Sequence, residues 1–149
     1  MAQTTTAVTG AAATVSIYSG AAYVDISGQS QSVDIVSSTV TTGEAYTFDG
    51  NYAITTIGKY EPVEVKVNIL YTETTNEGFQ LARAIYEGRT ATQLKWLPLG
   101  AASGADQYET KTVGYITKMD YPGPDASKAG PLMISFTVRC PGITYTNNA

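Results

Sequence analysis

Histidine is missing altogether, and cysteine occurs once, at Cys140. The first absence removes the Ser-His-Asp and Cys-His nucleophilic systems and the commonest general base. It also removes imidazole metal ligands, and one thiolate cannot build a structural zinc site. A single cysteine allows no disulfide within the chain, so Cys140, at the end of an apolar run, reads as a small buried hydrophobe. Charge is scarce as well: Asp, Glu, Lys and Arg make up 15% of the chain, against about 25% in an ordinary globular domain. With 43% hydrophobic residues this is not a disordered composition, which combines many charges with little apolar content. Long apolar runs are lacking too; none approaches the roughly 20 residues of a membrane helix, so no membrane anchor is expected. Met1 to Val15 has no basic segment and does not read as a signal peptide.

What stands in place of the charges is hydroxyl. Threonine is the commonest residue and tyrosine occurs 11 times. Thr, Tyr and Val suit half-buried pleated surfaces, whereas the strong helix formers Leu, Glu and Lys are thin here. The net charge of −4 opposes any general affinity for nucleic-acid phosphates, and the basic residues are scattered along the chain. The length of 149 residues fits one domain. Residues 1–13 show no hydrophobic period and read as a flexible arm, 14–146 as a single β domain, and 147–149 as a polar tail.

The clearest element is Pro62 to Thr72. Val63, Val65, Val67, Ile69 and Tyr71 share one parity, and Glu64, Lys66, Asn68, Leu70 and Thr72 the other, which is the period of a strand with one face in a core. Thr14 to Ser19 and Tyr23 to Ser27 flank Gly20-Ala21-Ala22 as the arms of a hairpin. Val33 to Val40 reads as one long β-branched strand and Glu44 to Phe48 as a weaker one. Asp49-Gly50 reads as a tight turn into Ala53 to Ile57, closed by Gly58. Thr92 to Leu97 sets Leu94 and Trp96 on one face. Gly100 to Asp106 and Asp125 to Gly130 read as loops. Tyr108 to Met119 alternates Val113, Tyr115, Thr117 and Met119. Leu132 to Val138 alternates Leu132, Ile134, Phe136 and Val138, and Ile143 to Thr146 is a short last run. One helix is predicted at about residues 76–87, capped by Thr75 or Asn76, ended by Gly88, with Phe79, Ala82, Ile85 and Tyr86 as its apolar stripe. The fold class is mainly β, a sandwich or barrel of about eight to ten strands with one flanking helix.

Carboxylate pairs are the remaining source of chemistry. Glu61 and Glu64 have opposite parity and belong on different faces, and Glu109 and Asp120 have no evident partner; a glycosidase needs two carboxylates across a cleft. Gly100 to Asp106 lacks the Lys-Ser/Thr of a P-loop, and Asp49-Gly50-Asn51 is a turn before it is a calcium ligand set. No enzyme, catalytic residue, metal site or cofactor is expected. Trp96 and the tyrosines fit cores and interfaces, and alternatively a sugar-stacking platform on a carbohydrate-binding β-sandwich. A sheet must hide its edges from other chains, usually with lysines, prolines or bulges. Val33 to Val40 carries none of these guards, which makes sense if edge pairing between subunits is the function.

The order of these pieces resembles the tail tube, or major tail, proteins of long non-contractile-tailed bacteriophages. The resemblance runs through Asp25-Ile26-Ser27-Gly28, Gly43-Glu44-Ala45-Tyr46-Thr47-Phe48-Asp49-Gly50, Gly58-Lys59 and Glu61-Pro62-Val63 to Tyr71-Thr72-Glu73. It continues through Trp96-Leu97-Pro98-Leu99-Gly100, Ile116-Thr117-Lys118, Tyr121-Pro122-Gly123-Pro124-Asp125-Ala126 and Phe136 to Ile143, about residues 14–146 in all. It implies a structural virion protein: a β-sandwich-like subunit closing into hexameric rings, the rings stacking into a tube that conducts DNA without binding it specifically. Strands of all six subunits would join in one barrel around the lumen. The tape measure, tail terminator and distal tail proteins would be its partners, and the virion tail its location after the host cytoplasm. Tubes of contractile tails and injection or secretion systems share the fold and stay open as an alternative. On this reading Glu64, Lys66, Asn68 and Thr72 are expected toward the lumen, with the outer wall as the other possibility, and Val63, Val65, Val67 and Ile69 behind them. Val33, Ile35, Val40, Tyr46, Phe48, Asp49 and Asn51, with the arm and the C-terminal tail, are expected at contacts between subunits or rings.

Overall fold

The structure is a computed structural model and describes residues 2–4, 6–100 and 104–148, Asn148 by its backbone. The first two strands, β1 (Thr14–Tyr18) and β2 (Tyr23–Asp25), form the predicted hairpin, with Ser16 opposite Asp25 and Tyr18 opposite Tyr23. After β3 (Ser30–Val33) come β4 (Val40–Ala45), β5 (Ile54–Tyr60) and β6 (Val63–Leu70). The helix α1 (Gly78–Gly88) separates these from β7 (Leu94–Leu97), β8 (Ala105–Thr110), β9 (Tyr115–Met119), β10 (Met133–Cys140) and β11 (Ile143–Asn148). All pairings are antiparallel. They build a five-stranded sheet in the order β11-β8-β7-β1-β2, a four-stranded sheet in the order β3-β6-β10-β9, and a separate β4-β5 pair.

One core lies between the two larger sheets. The alternation in β6 buries Val63, Val65, Val67 and Ile69 and exposes Glu64 and Lys66. β10 lies between β6 and β9, setting Ile134 against Ile69, Phe136 against Val67 and Met119, and Val138 against Val65 and Ile116. Val15 and Ile17 of β1 and Leu94 of β7 come from the opposite sheet, and Phe79, Ala82 and Ile85 from α1. An exposed apolar stripe would have to face water; packed here it ties the helix to the four-stranded sheet.

Several elements differ from the sequence pattern for identifiable reasons. Val33 to Val40 is not one strand: β3 ends at Val33, residues 34–39 are irregular, and β4 starts at Val40. Val33 and Val36 both pack on the core; three residues apart, they cannot share a face of a strand with period two. β4 stops at Ala45, short of Tyr46 and Phe48, and pairs with Ile54. Asp49-Gly50 therefore lies in a broad loop of residues 46–53 rather than a tight turn, with Gly50 at φ 109°. β5 runs through Gly58, where a Cβ would collide with Thr41 Oγ1 across the pair.

Tyr108 to Met119 is two strands in different sheets, joined by residues 111–114. Gly114 makes the crossing: its carbonyl accepts the Thr92 amide at 2.8 Å, and a Cβ there would lie 3.0 Å from the Thr92 carbonyl oxygen. In β9 the inward residues are Ile116 and Met119, because the register opposite Thr137 and Val138 steps from Lys118 to Ile116. Thr117 is the bulged residue, and the predicted alternation of Thr117 with Met119 is lost. The helix starts at Gly78, two residues late, since Asn76 takes φ 68°. Glu77 stands at the N-cap without a side-chain cap bond, and Arg89, not Gly88, supplies the left-handed residue at the end.

Candidate assembly surface

β6 turns Glu64 and Lys66 to solvent and leaves Asn68 half-buried. Register adds their neighbours on the outer face of the four-stranded sheet, which the sequence pattern of β6 alone does not reveal. Glu64 lies beside Arg139 and, one strand further, Tyr115; Lys66 lies beside Thr137 and, one strand further, Lys118; Asn68 lies beside Ser135. Arg139 Nη1 meets Glu64 Oε1 at 3.0 Å. Asn68 Nδ2 donates to Ser32 Oγ and Asp34 Oδ1, both at 2.9 Å, and Ser135 Oγ donates to Asp120 Oδ2 at 2.5 Å. Among the described residues Lys66 and Lys118 have no carboxylate within salt-bridge distance. The face is polar, with its charges balanced in sign. Thr72 departs from it: the residue follows the end of β6, and its Oγ1 is buried with no hydrogen-bond partner among the described residues.

The edges of this sheet are β3 and β9. The unguarded edge expected at Val33 to Val40 does not exist as a strand. β3 is four residues long and irregular between Ser30 and Ser32, and β9 carries Lys118 and the Thr117 bulge. Short length, a lysine and a bulge blunt these edges against indiscriminate pairing, while both stay uncovered by another strand among the described residues.

The β4-β5 hairpin is the exposed element. No residue of β5 is buried, and in β4 only Val40 is even half-covered. Tyr46 is 78% exposed, Phe48 fully, Tyr52 89% and Ile57 77%; Asp49 and Asn51 are exposed beside them. Its base is fixed by the Glu61 amide donating to the Thr39 carbonyl at 2.9 Å and Thr39 Oγ1 donating to Glu61 Oε2 at 2.6 Å. Of the other residues expected at contacts, Ile35 is exposed and Val33 packs on the core. The resemblance singled out Tyr46 and Phe48; Tyr52, Ile54, Ile57 and Tyr60 were missed, because exposure on both faces of a strand leaves no periodic signal.

The five-stranded sheet extends past its cover. Trp96, Tyr108 and Tyr145 lie side by side on β7, β8 and β11, with ring centroids 5.9 Å and 5.7 Å apart. They lie on the same face as Val15, which pairs with Trp96. Beyond the core this face opens into a groove of about 830 Å³, floored by Val15, Trp96, Tyr108 and Ile143 and walled by Val33 and Val36. On the opposite face Lys95 Nζ sits 4.3 Å from the Tyr23 ring centroid, and the Tyr23 hydroxyl donates to Glu109. Burial first, then this bond to a carboxylate, pushes the Tyr23 phenol well above its ordinary value. Among the described residues no cluster of His, Cys, Asp and Glu could hold a metal ion, and no helix is long and apolar enough to cross a membrane.

No protein-family model matches the chain, and no curated protein matches it. Solved structures do. A chain of the anti-feeding prophage baseplate, 6-fold symmetrised, superposes with a TM-score of 0.77 at 13% identity, covering 97% of each chain. A chain of the sheath-tube complex of an extracellular contractile injection system gives 0.73 at 13%, covering 95% of this chain and 92% of that one. A chain from the tail of an empty gene transfer agent particle gives 0.68 at 10%, covering 96% and 100%. At such identities the likeness is one of fold: a mainly β, tail-tube-type architecture along nearly the whole chain.

Proposed function

We propose that this chain is a structural subunit of a phage-like tail tube, six copies closing a ring and rings stacking into a conduit for DNA. The observation that carries the reading is likeness to tube and tail components along nearly the whole chain, in a chain whose β4-β5 hairpin pairs with no other strand among the described residues. Joining β3 of one copy to β9 of the next would continue the four-stranded sheet around a ring. The pairing is head-to-tail, and it closes into a ring of six when the rotation between neighbours is one sixth of a turn. Six four-stranded sheets give a barrel of about 24 strands; at about 4.8 Å per strand and a tilt of about 35–45°, its backbone diameter is about 45–52 Å. The Glu64, Lys66 and Asn68 face of β6 lines the lumen in this arrangement. Its balanced charges neither hold nor strongly repel phosphate, which suits DNA in transit.

The finer choice is between a non-contractile tail, favoured by the sequence motifs, and a contractile system, favoured by the likeness to the prophage and injection-system chains. Electron microscopy of the purified protein tests the shared reading. Sixfold rings or tubes with a barrel of that diameter are expected. A chain that stays monomeric at every concentration, and binds glycans through Trp96 and surface tyrosines, would overturn it. A sheath protein from the same particle that coats the tubes would select the contractile form.

A further inference from the structure

We propose that the aromatic-floored groove on each subunit receives the tip of the β4-β5 hairpin from a second copy of this chain, an inference that rests on the tube reading above. The hairpin cannot stand alone: two strands without a covering face are marginal in water, and this one turns Tyr46, Phe48 and Tyr52 outward at its tip. Because these rings are exposed, they do not fill the groove of their own subunit. Each buried aromatic contributes about 150–250 Å², so the three supply about 450–750 Å². That is most of the roughly 800 Å² per partner of a stable interface.

The groove matches in size and chemistry. Its volume of about 830 Å³ is within the roughly 300–1,000 Å³ that pockets use to enclose an organic group. The Trp96 and Tyr108 rings, already stacked with each other, are only half-buried, and an incoming ring can join them in the offset or edge-to-face arrangement aromatic pairs prefer. Asp34 is the one carboxylate along the lining among the described residues, so docking apolar rings there desolvates little charge. The seven residues of β5 extend about 23 Å, enough to leave the body of one subunit and enter the next. Tip and groove are different surfaces, so the contact is heterologous and propagates from copy to copy.

Trp96 is the one tryptophan of the chain and sits on the groove floor, so its emission reads occupancy directly. Wild-type protein is compared, dilute and assembled, with a Phe48→Ser/Tyr52→Ser variant, whose altered side chains are solvent-exposed and whose fold is checked by circular dichroism. On assembly, wild-type Trp96 emission shifts to the blue and its quenching by acrylamide drops several-fold. The variant needs about 30-fold more protein to assemble, if two interface anchors are lost, and Trp96 stays quenchable. Assembly of wild type with Trp96 unchanged overturns the docking while leaving the tube reading standing. A variant that protects Trp96 as wild type does also overturns it. A wild-type chain that never assembles removes both.

Discussion

Replacing Thr110 with valine tests how far hydroxyls substitute for backbone in this fold. Backbone pairing of β7 with β8 covers Lys95 opposite Glu109 and Trp96 opposite Tyr108. One step further, the fully buried Thr110 accepts the Leu94 amide on its side-chain Oγ1 at 2.9 Å. Its carbonyl is taken by Gln93 Nε2, also at 2.9 Å. Valine has the same shape and no acceptor. Thr110→Val therefore leaves the Leu94 N–H, itself in a fully buried residue, without a partner. Such an orphan costs about 1–3 kcal/mol, out of a total stability of about 5–15 kcal/mol. Thr110→Ser keeps the oxygen and loses one methyl, about 0.8 kcal/mol. Urea unfolding followed through Trp96 reads the difference. With a slope of about 1–3 kcal/mol per molar, valine lowers the midpoint by about 1 M and serine by less than half of that. Amide exchange at Leu94 should accelerate by about 5- to 150-fold in the valine variant, if the opening energy falls by the same amount. A Thr110→Val protein as stable as wild type, with Leu94 still protected, would refute the assignment.

Cys140 is buried, and burial raises its thiol pKa; it should resist a thiol reagent in native protein and react at once in urea, and fast labelling of the native chain would contradict the packing of β10. The Tyr23 phenol is raised in the fold, so the stability it contributes is whole below the ordinary tyrosine value near 10 and is lost as pH climbs from there toward the folded value. Tyr23→Phe should therefore lose less stability than wild type between pH 8 and about 11, measured by urea midpoints; equal losses would count against the burial of the phenol and its bond to Glu109. The Arg139–Glu64 pair is half-exposed on both sides, and Arg139→Ala should change stability by less than about 1 kcal/mol, an effect that shrinks further in salt.

Much of the architecture could be read from parity. Val63 to Ile69 and Ile134 to Val138 alternate cleanly, and both became central strands of one sheet, because a strand with one buried face must repeat every second residue. Phe79, Ala82 and Ile85 marked the helix by the same logic at helical spacing. Parity misled where the chain changes direction inside an apolar stretch. Val33 and Val36 both turn inward through an irregular segment, and Val113 and Tyr115 stand on either side of a crossing between sheets set by Gly114. Thr117 is bulged by register with β10, which no local pattern encodes. The candidate surfaces divide in the same way. Glu64 and Lys66 were visible on β6, whereas Lys118, Thr137 and Arg139 join them only through pairing of residues far apart in the chain. The groove needed the full strand order, since Trp96, Tyr108 and Tyr145 come from three separate strands.

The hairpin that projects from the body also gives any assembly built through it a direction. One end of such a stack displays unclaimed aromatic tips, and the other displays empty grooves. In such an assembly incoming subunits would meet a different chemistry at each end, and the two ends would grow at different rates. Length can then be set from a single end, by whatever occupies its tips or fills its grooves.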